Sequence, residues 1–464
     1  MSRTTTQEFH LLKSCWSLFI LVGLFSLAFG GIYVMVVPLS DLFWPGEPYH
    51  ALEMGILITF MFWISSISGI LFGRLIDKYS RTKILFLVAI IRGISMIMLG
   101  FTIVGRGIES WTYFFIFTSI IGFSAGGNYP TVVALSDDMA PLTHRSRFFV
   151  GYQIARFSFQ LIGFLLTGVL ILFELWRLFF FLIGFVLLIQ GLVFYLVTPE
   201  PKRGSQRKEL SDILKDEKKA YKYQMDLKMM RKTMLSKTNL VALVEGIFTS
   251  VFMGSLTILF LPYIQSPPHN VSPLATGAFL ALFGFTLGII LRLIFAKISD
   301  KFAKKNFIRR IHFILISLLG GSITFVMLFL LPLPHLTPEE GENLLIFFSF
   351  PIIWVMSIMY VSSSSLNNLY HINQPPIIQE INLPEAQGQI IALNRLLESI
   401  GFGSGPLITG FLILITGQNY QLAALLIGIF AIPGIILWSI SSRWYPNDRN
   451  AIRAILEERS KELT

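Results

Sequence analysis

Cysteine is almost absent: the 464-residue chain holds one, Cys15, so it forms no internal disulfide and no Cys-built metal site. Charge is also scarce. Asp, Glu, Lys and Arg make up 14% of the residues, against about 25% in a soluble domain. Phosphate-cradling glycine loops, a His-Glu-x-x-His pair and Cys/His clusters are missing, which excludes an ATP-driven motor and a zinc enzyme. Extended polar stretches are limited to one. What remains is apolar: hydrophobic residues are 54% of the chain and phenylalanine alone contributes 43. A disordered protein, a disulfide scaffold and a cytosolic enzyme are thereby excluded. The net charge of +10 points to membrane topology rather than nucleic acid, because of where the basic residues fall.

A spanning helix needs about 20 apolar residues. Twelve such stretches are predicted, near 14–36, 52–75, 83–104, 111–136, 148–172, 178–198, 239–263, 273–297, 309–332, 344–370, 389–415 and 420–441. With the N-terminus inside, 31 of the 37 Lys and Arg lie on the cytoplasmic side and two, Arg106 and Arg177, outside. The positive-inside rule then places both termini in the cytoplasm. The expected fold is an all-α polytopic membrane protein with twelve transmembrane helices. Residues 1–198 form one six-helix bundle, 199–238 a basic cytoplasmic linker, 239–441 a second bundle and 442–464 a cytoplasmic tail. Leu210, Leu214, Tyr221, Met225 and Met229 fall on one helical face of the linker, as expected of an amphipathic helix on anionic lipid. Asn447 or Asp448 is positioned to cap a short tail helix.

Two loops repeat a pattern. Gly73, Asp77, Lys78, Arg81 and Lys83 end the second span, and Asp300, Lys301 and Lys304 end the eighth. A looser pair joins Asp137, Asp138, Pro141 and Arg145 to Glu380, Pro384 and Gly388. Repetition at equivalent places implies two related halves. With Gly122, Gly126, Gly127 and Pro130 in span four, Pro199-Glu200-Pro201 closing span six, and Gly401, Gly403, Gly405 and Pro406 in span eleven, the chain resembles the major facilitator superfamily. Faint similarity extends to its Spinster-like and organic-anion porter groups. The loop departs from the family pattern at Ser80, where a second glycine is usual, and at Thr82, where a basic residue is usual. Thr118 stands where many members carry an arginine.

The resemblance implies a secondary transporter working by alternating access, with no cofactor, and with Asp77, Lys78, Arg81, Lys83, Asp300, Lys301, Lys304, Asp137 and Arg145 as parts of a cytoplasmic gate. In the family such aspartates accept N–H groups from a neighbouring helix start, so Asp77 is expected at the start of span eleven and Asp300 at the start of span five. The glycines and Pro130 and Pro406 serve close packing or hinge motion.

Six ionisable residues inside apolar stretches narrow the function, since an unpaired charge at mid-bilayer costs several kcal/mol. They are Arg92, Arg156, Arg292, Glu245, Arg395 and Glu398. Arg395 and Glu398, at i,i+3, form either a stabilising pair or one that opens during transport. Glu245 carries a proton, or pairs with Arg395 or Arg156. Arg156, flanked by Gln153 and Gln160, is an anion-binding candidate, and Arg92 reads as structural. Asn128, Tyr129, Asn367, Asn368 and the serines 362–365 supply cavity-lining polarity, and His371 stands at the cytoplasmic end of its span. The expectation is a monomeric cell-membrane transporter of a small organic anion, with the bilayer, the solute and H+ as partners and no nucleic acid. Export of drug-like or lysolipid amphiphiles, and a transporter-derived sensor or polytopic membrane enzyme, stay open as alternatives.

Overall fold

The computed structural model describes residues 11–140, 145–201 and 235–463. The expected linker helix lies outside the described residues, as do the side chains of Asp137, Asp138, Arg145 and Arg292. Among the described residues nine helices are long and apolar enough to cross a membrane. The other three spans are recognisable by what interrupts them, giving twelve in all. Span four is split into α5 (Ile108–Gly126) and α6 (Asn128–Met139). Span eight runs as α10 (Pro273–Phe279), a π-helical turn at Leu280–Leu287 and α11 (Gly288–Lys305). Span ten, α15 (Pro351–Glu380), carries a polar central run.

The remaining first-half spans are α1 (Leu11–Val34), α3 (Ala51–Lys78), α4 (Arg81–Gly100), α7 (Arg145–Leu172) and α8 (Trp176–Val197), with short α2 (Val36–Phe43) between the first two. The second half contains α9 (Lys237–Gln265), α12 (Arg309–Phe329), short α13 (Pro338–Glu342) and α14 (Leu344–Ser349), α16 (Pro384–Ile415), α17 (Tyr420–Gly428) and α18 (Ala431–Leu463). Two expected boundaries change. Span ten starts after α14 and continues to Glu380, so His371 is not at its end. The separate tail helix is not formed, because α18 runs unbroken to Leu463. Asp448 caps a different helix: it accepts the Thr238 N–H at 3.0 Å in the first turn of α9.

The chain clusters into two units, Met1–Pro45 with Trp63–Tyr221, and Gly46–Phe62 with Lys222–Thr464. In the first unit α1 packs along α7, and α4 along α8 and α5. The second unit repeats the scheme, with α9 along α16, and α12 along α15 and α18. The seams close on glycine. A side chain at Gly163 would meet the Leu27 carbonyl, and one at Gly401 the Ile247 carbonyl, so both helix pairs depend on a missing Cβ. Pro406 lacks the N–H that would bond the Phe402 carbonyl, and Gly254 of α9 packs against that carbonyl. Residues 46–62 belong to the second unit through Leu407, whose N–H donates to Thr59 Oγ1 at 2.9 Å, and through Phe62, whose ring is 5.2 Å from Phe402.

Candidate functional site

The second unit gathers buried polar groups from three helices. Glu245 on α9 is fully buried. The Thr249 hydroxyl, one turn along, donates to its Oε1, and the Tyr370 hydroxyl of α15 donates to its Oε2 at 2.9 Å. Neither donor is charged, so the expected alternative of a salt bridge from Glu245 to Arg395 is not what forms. Gln374, one turn beyond Tyr370, donates Nε2 to the Tyr370 oxygen at 2.7 Å. It also exchanges amide hydrogen bonds with Asn394 of α16, at 3.4 and 3.3 Å. Asn394 Nδ2 then donates to Glu398 Oε1 at 2.8 Å.

Arg395 completes the line, with NH1 3.3 Å from Glu398 Oε2. Its side chain is 56% exposed while that of Glu398 is 6% exposed. The i,i+3 spacing thus forms the expected pair, with the cation at the edge and the carboxylate inside. Such a pair is stable closed, yet the exposed partner is open to a competing anion. Asn367 is not part of this line. It packs from α15 against Gly321 of α12, while Asn368 donates Nδ2 to the Ser364 carbonyl at 3.0 Å.

In the first unit the Arg156 guanidinium lies 5.5 Å from the Tyr152 ring centroid, and Tyr129 stands 6.4 Å from Tyr152. Tyr129 is exposed, and Gln153 with it; Gln160 is half-buried. Asn128 Oδ1 is buried with no hydrogen-bond partner. This cluster offers one cation and one exposed ring, Tyr129, because Tyr152 is fully buried beneath the guanidinium. Arg92 is buried deeper: its Nε donates to Ser124 Oγ at 3.1 Å and its guanidinium sits 4.3 Å from the Phe25 ring centroid. Packing of this kind agrees with a structural arginine.

Gate candidates occupy the helix ends. Asp300 pairs with Arg310 at 3.3 Å, and Lys301 and Lys304 are exposed. Asp77, Lys78 and Lys83 are exposed around the α3–α4 turn, with Arg81 half-buried. At that turn Glu200, just beyond α8, caps α4. It accepts the Arg81 and Thr82 N–H groups at 2.9 Å each, the Ser80 hydroxyl at 2.6 Å and the Thr82 hydroxyl at 2.7 Å. Partial burial works to raise its carboxyl, but these four donors bring it below the usual carboxylate range. The two departures from the family loop, Ser80 and Thr82, are thus the hydroxyls that hold Glu200. Of the span-four glycines, Gly126 lies against the backbone of Ser65 and Gly69, and Gly127 against Val88 and Phe72, at the break between α5 and α6.

Sequence reasoning missed Tyr370, Gln374, Asn394, Thr249 and Glu200. For the first four the signal was four-residue spacing: Glu245 with Thr249, Tyr370 with Gln374, and Asn394 with Glu398 each share a helix face. Glu200 was read only as part of the Pro199-Glu200-Pro201 close of span six, and its partners lie 118 to 120 residues away.

Twelve spans in two similarly packed units, with Glu245 and Glu398 buried inside spanning helices, are the arrangement of a polytopic membrane protein. Residues 18–376 match the Major Facilitator Superfamily profile, and the chain belongs to that family, whose members are transporters and not enzymes. A benzoate transport protein from Acinetobacter baylyi is 28% identical over 169 residues, which is 34% of this chain and 33% of that protein; the match therefore spans a third of the relative's length. Among solved structures, a bacterial homologue of the human lysosomal transporter Spinster, inward-facing and unoccupied, aligns with TM-score 0.69 at 17% identity, covering 94% of this chain and 98% of its own. The nucleoside transporter NupG aligns with TM-score 0.64 at 14% identity, covering 94% and 99%.

Proposed function

We propose that this protein carries a small organic anion across the membrane by alternating access, with a proton as the coupling ion. The observation that carries the reading is the Arg395–Glu398 pair, an exposed cation on a buried carboxylate. An incoming carboxylate competes for the guanidinium and leaves Glu398 without its counter-charge. Protonation then removes the cost of burying it. Glu245, held by neutral donors alone, is the second proton carrier. Arg156, seated on buried Tyr152, and the exposed Tyr129 ring supply a cation and an aromatic face that suit an aromatic carboxylate. The benzoate transport relative makes benzoate the first compound to try. The basic bias supports a cell-membrane orientation with both termini in the cytoplasm, the protein acts as a monomer, and Asp77 and Asp300 belong to its gate.

The test is uptake of labelled benzoate and a panel of aliphatic carboxylates into proteoliposomes, with and without a pH gradient. The reading expects stimulation by the gradient, loss of uptake in Arg395→Gln, and in Glu398→Gln retained exchange without gradient stimulation. Stimulation by sodium in place of the pH gradient, or unchanged uptake in both variants, contradicts it.

A further inference from the structure

Glu245 and Glu398 stand on different helices, α9 and α16, and a continuous polar line runs between them: Glu245, Tyr370, Gln374, Asn394, Glu398. We infer that Tyr370 is a positioning residue that makes these two carboxylates titrate as one unit, so that a proton taken by one changes the hold on the other. The inference rests on the reading of both as proton carriers, but its test does not require transport.

The donor at each end of the line points outward to a carboxylate, the Tyr370 O–H to Glu245 and an Asn394 N–H to Glu398, while Gln374 between them donates to the Tyr370 oxygen and exchanges bonds with Asn394. Both ends are served as acceptors, which is what an ionised carboxylate requires. A protonated carboxyl has an O–H of its own to place. Put on the Tyr370 side of Glu245, it forces the tyrosine to turn its hydroxyl toward Gln374, which now presents an N–H. Gln374 must flip its amide to accept. In the reciprocal amide pair that flip turns Asn394 as well, and Glu398 loses its N–H donor. Buried hydrogen-bond chains transmit such changes because each member has few other partners.

The surroundings leave the line undisturbed. A Cβ at Gly246 would lie 3.4 Å from Glu398 Cγ, 3.6 Å from the Tyr370 hydroxyl and 3.8 Å from Asn394 Oδ1, so the glycine faces all three groups and crowds none. The titratable and charged groups around Glu245 are Tyr370 from α15, and Glu398 and Arg395 from α16. His371, whose ring is 5.4 Å from that of Tyr370, is the other on α15. From α12 and α18 the neighbouring residues are Leu318, Gly434 and Trp438, none of which titrates, the Trp438 indole being a further neutral donor toward Glu245.

The experiment is a double-mutant cycle read by infrared spectroscopy of the purified protein in nanodiscs, following the protonated-carboxyl band against pH. Glu245→Gln assigns the band. Glu398→Gln is expected to change the proton affinity of Glu245 about tenfold in the wild-type background, and less than about threefold in Tyr370→Phe. Asn394→Leu, which cuts the line at its other end, must abolish the coupling likewise and carries the test if Tyr370→Phe does not fold. Equal changes in both backgrounds, or none in either, overturn the inference; the second result means the proton settles on the Thr249 side. Failure of gradient-driven benzoate uptake would instead remove the proposed function and leave the titration result standing.

Discussion

The two units pack by the same scheme and hold opposite charges. In the first, Arg92 and Arg156 rest on the rings of Phe25 and Tyr152, with Ser124 as the hydroxyl partner of Arg92. In the second, Glu245 and Glu398 sit in a line of hydroxyl and amide donors that ends at an exposed guanidinium. The chemical consequence differs. A guanidinium keeps its charge in a protein, so ring faces and hydroxyls suffice to hold it permanently. A carboxylate exchanges a proton, and hydroxyl and amide donors can rearrange around either state. On this account the first unit supplies fixed attraction for an anion, and the second supplies the charge that changes.

The largest expected effect breaks the packing that both units share. Gly401→Val puts a side chain into the Ile247 carbonyl and should destabilise the protein by about 3 kcal/mol. Gly73→Ala, inside α3 where nothing lies within 4 Å, should instead stabilise the protein by about 0.5–1 kcal/mol. Thermal unfolding in one detergent compares them.

Next comes the contrast in buried charge. Glu245→Leu strands the Thr249 hydroxyl and the Tyr370 O–H, whose oxygen still accepts from Gln374, and should cost about 2 kcal/mol, at the low end of about 1–3 kcal/mol for each unsatisfied group. Arg92→Met leaves only Ser124, whose hydroxyl still donates to the Ile121 carbonyl at 2.7 Å, and should cost less than about 1 kcal/mol. Equal costs would mean that the two units do not differ in how they hold charge.

Smaller still is the cap at Glu200. Its carboxyl is held below its unfolded value, so its contribution is fully present above the ordinary carboxylate range, about pH 4. It is lost as pH falls through the depressed folded-state value. Because the group is largely exposed, solvent screening limits the effect to less than about 1 kcal/mol. Glu200→Gln should flatten this acid-side slope, measured as melting temperature against pH.

These effects track what the sequence disclosed. Spans were legible because a bilayer demands about 20 apolar residues and punishes lone charges. The Arg395–Glu398 pair was legible because helical geometry alone brings i and i+3 together. The cross-helix partner of Glu245 was not: Tyr370 lies 125 residues away, and no local rule connects the two, whereas Thr249 stands one turn along the same helix. Neutral side chains such as Gln374 and Asn394 also carry no cost signal comparable to a buried charge. The continuous α18 was hidden because Asp448 resembles a cap for its own helix, whereas its carboxylate serves α9.

The most direct test of the account measures proton flux and labelled benzoate uptake in the same vesicles. The wild type should move protons with the anion at a fixed ratio. Arg156→Gln should lower the uptake rate and keep that ratio, while Glu245→Gln and Glu398→Gln should each abolish it. A proton-to-benzoate ratio that survives in both carboxylate variants would contradict the placement of the changing charge in the second unit.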